Sequence, residues 1–328
     1  MKKSISIVVS AYNEEGNVRE LYRQLKSVIA EIKMDAEIIF VDDGSRDRTL
    51  LYCHELQKTD AAVKIVHFTK NFGHETAMIA GMEYARGDAV IFMDADLQHP
   101  PVVIKEMVKL WHAGEKIILT RRRSNADSKK GILGLFYKMF AKVFYWILNF
   151  LSDVKIPAAS PDFRLIDREY VDFLKKFQEH SAMFRGTLSL ICDVTKLPVI
   201  EFDAPARHAG ESKYNFIKSA RLALDGIFQF STRPLSLAMW FAVILGTLSL
   251  ILGFDVIIER FILRHPAPGY ATIVSAITFT GAVILFTIAI IGTYIGKIHI
   301  ETKKRPLYFA EYFEKEENKR LPRNAKAA

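Results

Sequence analysis

Cysteine is scarce in this chain: Cys53 and Cys192 are the only two among 328 residues. Two cysteines cannot form a disulfide framework, which excludes the small disulfide-stapled secreted domains and is typical of a reducing compartment. Charged residues make up 25% of the chain and hydrophobic residues 50%, and this balance excludes wholesale disorder. At about 150 residues per domain, the length allows about two domains.

Several nucleotide-binding and nucleic-acid-binding signatures are also missing. No GxxxxGK[ST] phosphate loop occurs, and no GxGxxG follows the first apolar run. The formal net charge of +8 is not arranged as a basic groove interleaved with aromatic residues. Nucleic acid is therefore not an expected partner.

Long apolar runs are present, and they lie near the C-terminus. Residues 235–258 carry a single charge, Asp255, and residues 271–296 carry none. Each run exceeds the ~20 residues that a helix needs to cross a bilayer. Pro266, Pro268 and Gly269 in the short connection favour a hairpin of two transmembrane helices within residues 231–298. The alternative, a pair of buried core helices, is disfavoured because core helices rarely run so long without polar residues.

The charges around these runs predict their orientation. Basic residues flank both outer ends of the hairpin, whereas the connection has only Arg260 and Arg264. The positive-inside rule then places the preceding domain and both termini in the cytoplasm, in a multi-pass protein of the plasma (inner) membrane. Residues 299–328 are expected to form a basic cytoplasmic tail beside anionic lipid. The flanking basic residues are Lys213, Lys218, Arg221, Arg233, Lys297, Lys303, Lys304 and Arg305.

Two further segments have an amphipathic pattern. Residues 131–151 are long enough to span a bilayer, but Lys138 and Lys142 lie four apart, on one face of a helix. A third span would also put the polar motifs on opposite sides of the membrane. We therefore expect 131–151, and similarly 215–230, to be interfacial amphipathic helices.

The N-terminal part alternates short apolar runs with amphipathic stretches, which predicts an α/β domain with a mostly parallel sheet. With the segments that follow it, this domain covers residues 1–230. Strands are expected at residues 4–11, 36–42, 63–68, 88–94 and 116–121. Helices are expected at residues 14–32, 46–58, 74–86 and 100–113.

Acidic residues follow three of these strands, where ligands of parallel sheets bind. Glu14 follows the first strand, Asp42 and Asp43 end the second, and Asp94 and Asp96 end the fourth. Asp94 and Asp96 are two apart, so in an extended strand their side chains share a face, as oxygen ligands of Mg²⁺ or Mn²⁺ would. Helix caps or solvated turns are the alternative for such a pair taken alone.

Seven motifs in order carry a family resemblance: SAYNE, VDDGSRDRT, KNFGH, MDADLQHPP, RRR, PDFRLIDR and RHAGESKYN. Over about residues 4–305 the chain resembles the family 2 glycosyltransferases of GT-A fold. Within them it is most similar to the polyprenyl-phosphate glycosyltransferases, which include bactoprenol glucosyltransferases and dolichyl-phosphate mannose synthases. The resemblance implies a GT-A, Rossmann-like sheet flanked by helices, ahead of the transmembrane hairpin.

The resemblance also implies roles on the donor side. Asp94 and Asp96 would face the diphosphate, with Asp96 acting most directly through a bound Mg²⁺ or Mn²⁺. The nucleoside of the donor would be held by Ala11, Tyr12, Glu14, Asp42 and Asp43. For Tyr12 and Asp43, a core aromatic and a turn residue remain the alternatives.

The resemblance implies transfer of a sugar from a nucleoside diphosphate sugar, the donor, to a lipid phosphate, the acceptor. A lipid phosphate carries nearly two negative charges near pH 7 and must be held in line with the sugar carbon that it attacks. Asp162 matches the acidic position near the reacting centre, as base or as an orienting group, with Arg164 beside it. A salt bridge is the alternative for Asp162, and a lipid-headgroup patch for the arginine triplet. The remaining acceptor-phosphate residues would be Arg121, Arg122, Arg123, Arg207 and Lys213.

Some positions depart from the family pattern or stay open. Ser10 stands where the family usually has proline, and Ala159 and Pro161 replace an acidic residue and a glycine before the acceptor motif. His74 is either a donor contact or a structural histidine, and His99 is an alternative metal ligand.

The processive signature QxxRW is absent, which favours transfer of a single sugar. The sequence therefore predicts an inverting, metal-dependent transfer of one hexose, glucose from UDP-glucose, to undecaprenyl or another polyprenyl phosphate at the cytoplasmic membrane face. The same chemistry with GDP-mannose or a UDP-amino sugar, and a non-catalytic membrane scaffold, are the alternatives. A homo-oligomer is a further expectation from relatives.

Overall fold

The structure, a computed structural model, describes residues 3–123, 161–177, 184–203, 205, 228, 231–258, 269–314 and 317–321. These residues belong to two compact units. The first unit comprises the described residues up to 205 together with those from 304 onward. The second unit comprises the described residues from 228 to 303.

The first unit contains nine described strands. They are β1 (Ser4–Ala11), β2 (Asp35–Asp42), β3 (Val63–Phe68), β4 (Ala89–Asp94), β5 (Ile117–Arg122), β6 (Arg164–Asp167), β7 (Val199–Phe202), β8 (Ala310–Glu314) and β9 (Glu317–Leu321). Its helices are α1 (Val18–Ile32), α2 (Thr49–Thr59), α3 (His74–Tyr84), α4 (Val103–His112), α5 (Arg168–Leu174) and α6 (Phe184–Ile191), with one 3-10 turn at Val194–Lys196.

The strands form a single sheet in the order β7-β5-β6-β4-β1-β2-β3-β8-β9. Seven strands run in one direction, and β6 and β8 run against them. The predicted α/β class with a mostly parallel sheet is therefore confirmed. In the register of the central strands, Ser10 lies opposite Asp94 and Ala11 opposite Asp42. The carboxyl ends of β1, β2 and β4 consequently meet at one edge.

Each face of the sheet carries its own hydrophobic core. The central strands are buried on both faces, which is why they are nearly continuous apolar runs. Helix α1 buries Val18, Leu21, Leu25 and Val28 against the sheet, at the three- and four-residue spacing of an amphipathic helix. It ends at Lys33, whose φ of 54° is left-handed.

Four of the nine described strands, β6 to β9, were not predicted, and two of them run against the rest of the sheet. Strand β6 lies in the PDFRLIDR motif and enters the sheet antiparallel between β4 and β5. Strand β8 lies within the predicted tail and pairs antiparallel with β3. The chain after residue 303 therefore returns to the first unit, and its described part forms one edge of the sheet.

The second unit contains two long helices, α7 (Arg233–Ile258) and α8 (Tyr270–Thr302). The Tyr294 hydroxyl of α8 donates to the Ser231 carbonyl (2.6 Å), and the Phe241 and Phe286 rings meet edge to face at 6.3 Å. Arg233–Ile251 and Ala276–Thr302 have mean hydropathies of 2.0 and 2.1, so both helices are long and apolar enough to cross a membrane.

Helix α8 is longer than the predicted run 271–296. It continues through Thr302 because neither glycine nor proline interrupts residues 297–302, and it ends just before Lys304, whose φ is 46°. The predicted helices 131–151 and 215–230 lie outside the described residues, apart from Phe228.

Candidate active site

The loops that follow β1 and β2 are joined by side-chain hydrogen bonds. The Asn13 N–H donates to the Ser45 hydroxyl (2.9 Å), and the Asn13 side-chain oxygen accepts from the Arg46 N–H (2.8 Å). Asn13 has a φ of 54°, a conformation that asparagine tolerates better than most residues. These bonds fix the turn that carries Tyr12 and Glu14, both of which are half-buried.

Asp43 holds the loop that precedes α3. Its carboxylate accepts from the Phe72 N–H at 2.6 Å and from the Gly73 N–H at 3.0 Å, while its own N–H donates to the Ala11 carbonyl (2.9 Å). Burial outweighs these donors and raises the pKa of the Asp43 carboxyl. The loop of residues 70–73 therefore forms a wall beside the carboxyl ends of β1 and β2.

Asp42 lies beneath this surface. It is fully buried, and its Oδ2 is 2.7 Å from Nδ1 of His67 on β3. The structure thus separates two adjacent acidic residues: Asp42 pairs inside the sheet, and Asp43 supports the loop.

His74 links the carboxylate of Asp94, predicted to face the donor, with that of Asp162, predicted to lie on the acceptor side. Its Nδ1 is 2.9 Å from the Ser10 hydroxyl and 3.4 Å from Oδ1 of Asp94, and its Nε2 is 3.3 Å from Oδ2 of Asp162. Burial opposes a positive charge on His74, but Asp94 and Asp162 outweigh it and raise the pKa of His74 to about 10. At neutral pH the ring is a cation that donates from both nitrogens.

Asp162 is also paired with Arg164, which begins β6. Oδ1 of Asp162 accepts from the Arg164 guanidinium at 2.6 Å, and both side chains are at most 3% exposed. A pair of this kind, hydrogen-bonded and desolvated, holds its geometry firmly. The Asp162 carboxylate is therefore fixed between two protein cations, His74 and Arg164.

The end of β4 is supported by His99. Its Nδ1 accepts from the Asp94 N–H (3.1 Å), and its ring stacks on Phe163 at 5.1 Å. Burial lowers the pKa of His99, so the ring is neutral and carries its proton on Nε2. His99 thus shapes the strand end as a packed side chain. Asp96, two residues after Asp94, accepts from the Gln98 N–H at 3.0 Å.

Asp94 and Asp96 offer carboxylate oxygens of the kind that Mg²⁺ and Mn²⁺ prefer. Across the described ranges, no group of three His, Cys, Asp or Glu side chains could hold a metal ion by itself. Two carboxylates still fit such an ion, because Mg²⁺ is commonly held by one or two carboxylates together with substrate phosphates.

The arginine triplet divides between the two faces of β5. Arg121 and Arg123 are more than half exposed and lie 3.7 and 3.6 Å from the Glu201 carboxylate on β7. Arg122 pairs in register with Phe202, whose ring meets His99 edge to face at 6.2 Å. The Nε of Arg122 is buried and has no hydrogen-bond partner within the described part of the chain. Arg122 thus shares the face of His99, whereas Arg121 and Arg123 face away from it.

The structure therefore brings together most of the predicted donor-side residues with Asp162 and Arg164. It places Arg121 and Arg123 elsewhere, and Arg207 and Lys213 lie outside the described residues. Sequence reasoning missed the linking role of His74 and the part of Ser10, whose hydroxyl lies 3.2 Å from Asp94. The only sequence signal was the polar Ser10 at a strand end near a histidine-bearing loop.

Residues 6–174 match the family model for glycosyl transferase family 2. An uncharacterized glycosyltransferase of Synechocystis is 38% identical over 94% of this chain and 95% of its own length. The bactoprenol glucosyl transferase of Shigella phage SfV is 36% identical, over 93% of this chain and 97% of its own length. The crystal structure of mannosyl-3-phosphoglycerate synthase from Rubrobacter xylanophilus has a TM-score of 0.45 at 16% identity, over 68% of this chain and 71% of that structure.

Proposed function

Because this chain belongs to glycosyl transferase family 2, and is therefore a glycosyltransferase, we propose that it transfers one glucose from UDP-glucose to a polyprenyl phosphate such as undecaprenyl phosphate. The similarity to bactoprenol glucosyl transferase extends over 93% of the chain, and so includes the two apolar helices. The observation that carries the proposal is the His74 link, which joins the donor-side Asp94 to the acceptor-side Asp162 at one sheet edge.

The reaction on this proposal is a single displacement. A phosphate oxygen of the lipid attacks the anomeric carbon of the sugar, the bond from that carbon to the donor diphosphate breaks, and UDP leaves. One displacement inverts the anomeric carbon. The lipid phosphate is already a nucleophile near pH 7, so the protein needs to hold it in line more than to deprotonate it.

Asp162 fits an orienting role better than that of a base. Both of its oxygens already face cations, Arg164 at 2.6 Å and His74 at 3.3 Å. Each oxygen is thus already engaged with a protein donor, which suits a group that holds its neighbours in place. Asp162 therefore positions His74 and Arg164, and Arg122 is the candidate to contact the acceptor phosphate.

On the donor side, Asp94 and Asp96 would hold Mg²⁺ or Mn²⁺, which when bound offsets the charge that builds on the departing diphosphate. The turn of Ala11, Tyr12 and Glu14 and the Asp43-supported loop would hold the nucleoside. We propose the plasma membrane as the location, with the catalytic domain and both termini in the cytoplasm, because basic residues flank both outer ends of the helix pair. Many apolar side chains of α7 and α8 point outward, among them Trp240 and Leu285 at 61% and 69% exposure.

The test is sugar transfer by the full chain in detergent with Mg²⁺ or Mn²⁺. The assay offers undecaprenyl phosphate with labelled UDP-glucose, GDP-mannose and UDP-amino sugars. We expect lipid-linked glucose from UDP-glucose, with product lost in Asp96→Ala and kept in the matched surface control Asp172→Ala, whose side chain is 58% exposed. Product from another donor would correct the sugar. If the protein neither forms product nor binds nucleotide, that result would contradict the proposed transfer and favour a non-catalytic scaffold.

A further inference from the structure

The segment that follows α8 returns to the sheet beside the donor-side loop. Strand β8 pairs antiparallel with β3, from Phe68 opposite Ala310 to Ile65 opposite Phe313. The pairing continues beyond the strand, because the Thr69 N–H donates to the Phe309 carbonyl at 3.2 Å. Thr69 leads directly into the loop of residues 70–73. The C-terminal segment thus holds Thr69, the residue just before the loop.

An aromatic stack extends this contact into the loop. Tyr308 is 5% exposed, and its ring lies 4.9 Å from the Phe68 ring with an interplanar angle of 25°. Phe68 in turn meets Phe72 edge to face at 5.5 Å. The Tyr308 hydroxyl donates to Glu83 near the end of α3. Tyr308 therefore connects the end of β3 with the helix that the loop introduces.

The same loop is held from the opposite side by the strand end. Asp43 accepts from the Phe72 N–H at 2.6 Å. The chain at Lys70 also lies directly against Gly44, since a Cβ built on that glycine would be 2.4 Å from the Lys70 carbonyl carbon. The loop is thus fixed between Asp43 and Gly44 on one side and the Tyr308 stack on the other.

We propose that Tyr308 is a positioning residue for the donor-nucleotide site. It acts through Phe68 and Phe72 on the loop that Asp43 holds, and it contacts no substrate itself. This inference rests on the proposed function, because the loop matters as a wall of the donor site. Loss of the Tyr308 ring leaves Phe68 without its stacked neighbour and allows the loop to leave the strand end, which weakens nucleotide binding.

The chain provides a matched control four residues further along, on β8. Tyr312 stacks on Tyr84 at 4.6 Å with an interplanar angle of 16°, at the far end of α3 from the loop. Removing the Tyr312 ring likewise removes one stacked aromatic pair, which in this case joins β8 to α3. It does not touch the Phe68–Phe72 contact. A purely structural role for Tyr308 predicts equal effects of the two substitutions.

The experiment measures the Kd of the full chain in detergent for UDP and for GDP, with Mg²⁺, in Tyr308→Ala, Tyr308→Leu, Tyr308→Phe and Tyr312→Ala. Because the free energy of one aromatic pair is lost, we expect Tyr308→Ala and Tyr308→Leu to raise the Kd about tenfold. We expect Tyr308→Phe, which keeps the ring, and Tyr312→Ala to stay within about twofold of the wild type. The leucine variant keeps the site filled and tests the idea if the alanine variant does not fold.

Transfer kinetics give a second readout. A displaced donor loop raises the KM for the donor and leaves kcat near the wild-type value, whereas partial unfolding lowers kcat alone. An unchanged Kd in Tyr308→Leu, or an equal rise in Tyr312→Ala, would overturn the inference while leaving the proposed function intact. A wild type that binds neither UDP nor GDP would overturn both.

Discussion

The three consecutive arginines at the end of β5 allow the acceptor side to be tested one residue at a time. From sequence, all three are expected to bind the acceptor phosphate. In the structure, Arg121 and Arg123 are exposed beside Glu201, whereas Arg122 lies on the face of His99 with its Nε buried. A hydrogen bond to a charged group contributes about 1.5–3 kcal/mol, or about 10- to 100-fold in affinity. An exposed ion pair contributes at most about 1 kcal/mol, or about fivefold.

We therefore expect Arg122→Gln to raise the KM for polyprenyl phosphate about 10- to 100-fold. Arg121→Gln and Arg123→Gln, which remove the same charge from the residues on either side of Arg122, change the KM by less than about fivefold. The assay is the initial rate of transfer against lipid phosphate concentration, with the donor saturating. The reasoning is refuted if Arg121→Gln or Arg123→Gln raises the KM as much as Arg122→Gln does. The effect would then depend on net charge and not on the face of the strand.

Three other predictions follow from the same contacts. Glu37→Gln should lower the free energy of unfolding by about 3 kcal/mol at pH 7, because the carboxylate is buried 2.6 Å from Lys64. Burial opposes ionisation of Glu37, but hydrogen bonds from Lys64 and two other donors lower its pKa below the usual value. The stabilisation is therefore present above the pKa of the unfolded chain and is lost as the pH falls through the folded pKa; denaturant titrations of both proteins from pH 7 downward check this. Gly44→Ala should weaken UDP binding measurably, since φ is +67° and the new Cβ would meet the Lys70 backbone; unchanged affinity by calorimetry would contradict it. His74→Gln, which is uncharged and carries both its N–H donors on one nitrogen, should lower kcat/KM by at least about tenfold with Tm little changed, and normal transfer rates would disprove the link.

The central strands were predictable from sequence because their signal is local. Strand β1 is found at the predicted residues 4–11, and β3 at the predicted residues 63–68. A strand that is buried on both faces needs a nearly continuous apolar run, and such a run is visible in the sequence. Helix α1 starts at Val18 and not at residue 14, because the Asn17 N–H donates to the Glu14 carbonyl in a separate turn. Helix ends depend on such single bonds, which composition does not reveal.

Strands β6 and β8 were not predictable for the opposite reason. Each pairs with a strand far away in the chain, and β6 contains only four residues, two of them charged at its ends. The same holds at the site. The division of the arginine triplet depends on the pleat of β5, and the link through His74 depends on α3 bringing a side chain from one loop between two others.

The charges at the strand ends also change the argument for a metal ion. From sequence, acidic residues on three neighbouring strands are expected to repel one another unless a cation or several hydrogen-bond donors offset their charge. The structure supplies protein groups for this purpose: His67 faces Asp42, backbone N–H groups face Asp43, and His74 lies between the two carboxylates on either side of it. Protein groups therefore offset the repulsion between these carboxylates. On the proposed function, a requirement for Mg²⁺ or Mn²⁺ would arise from the diphosphate of the donor. That group would add negative charge that His74, which already faces Asp94 and Asp162, does not neutralise.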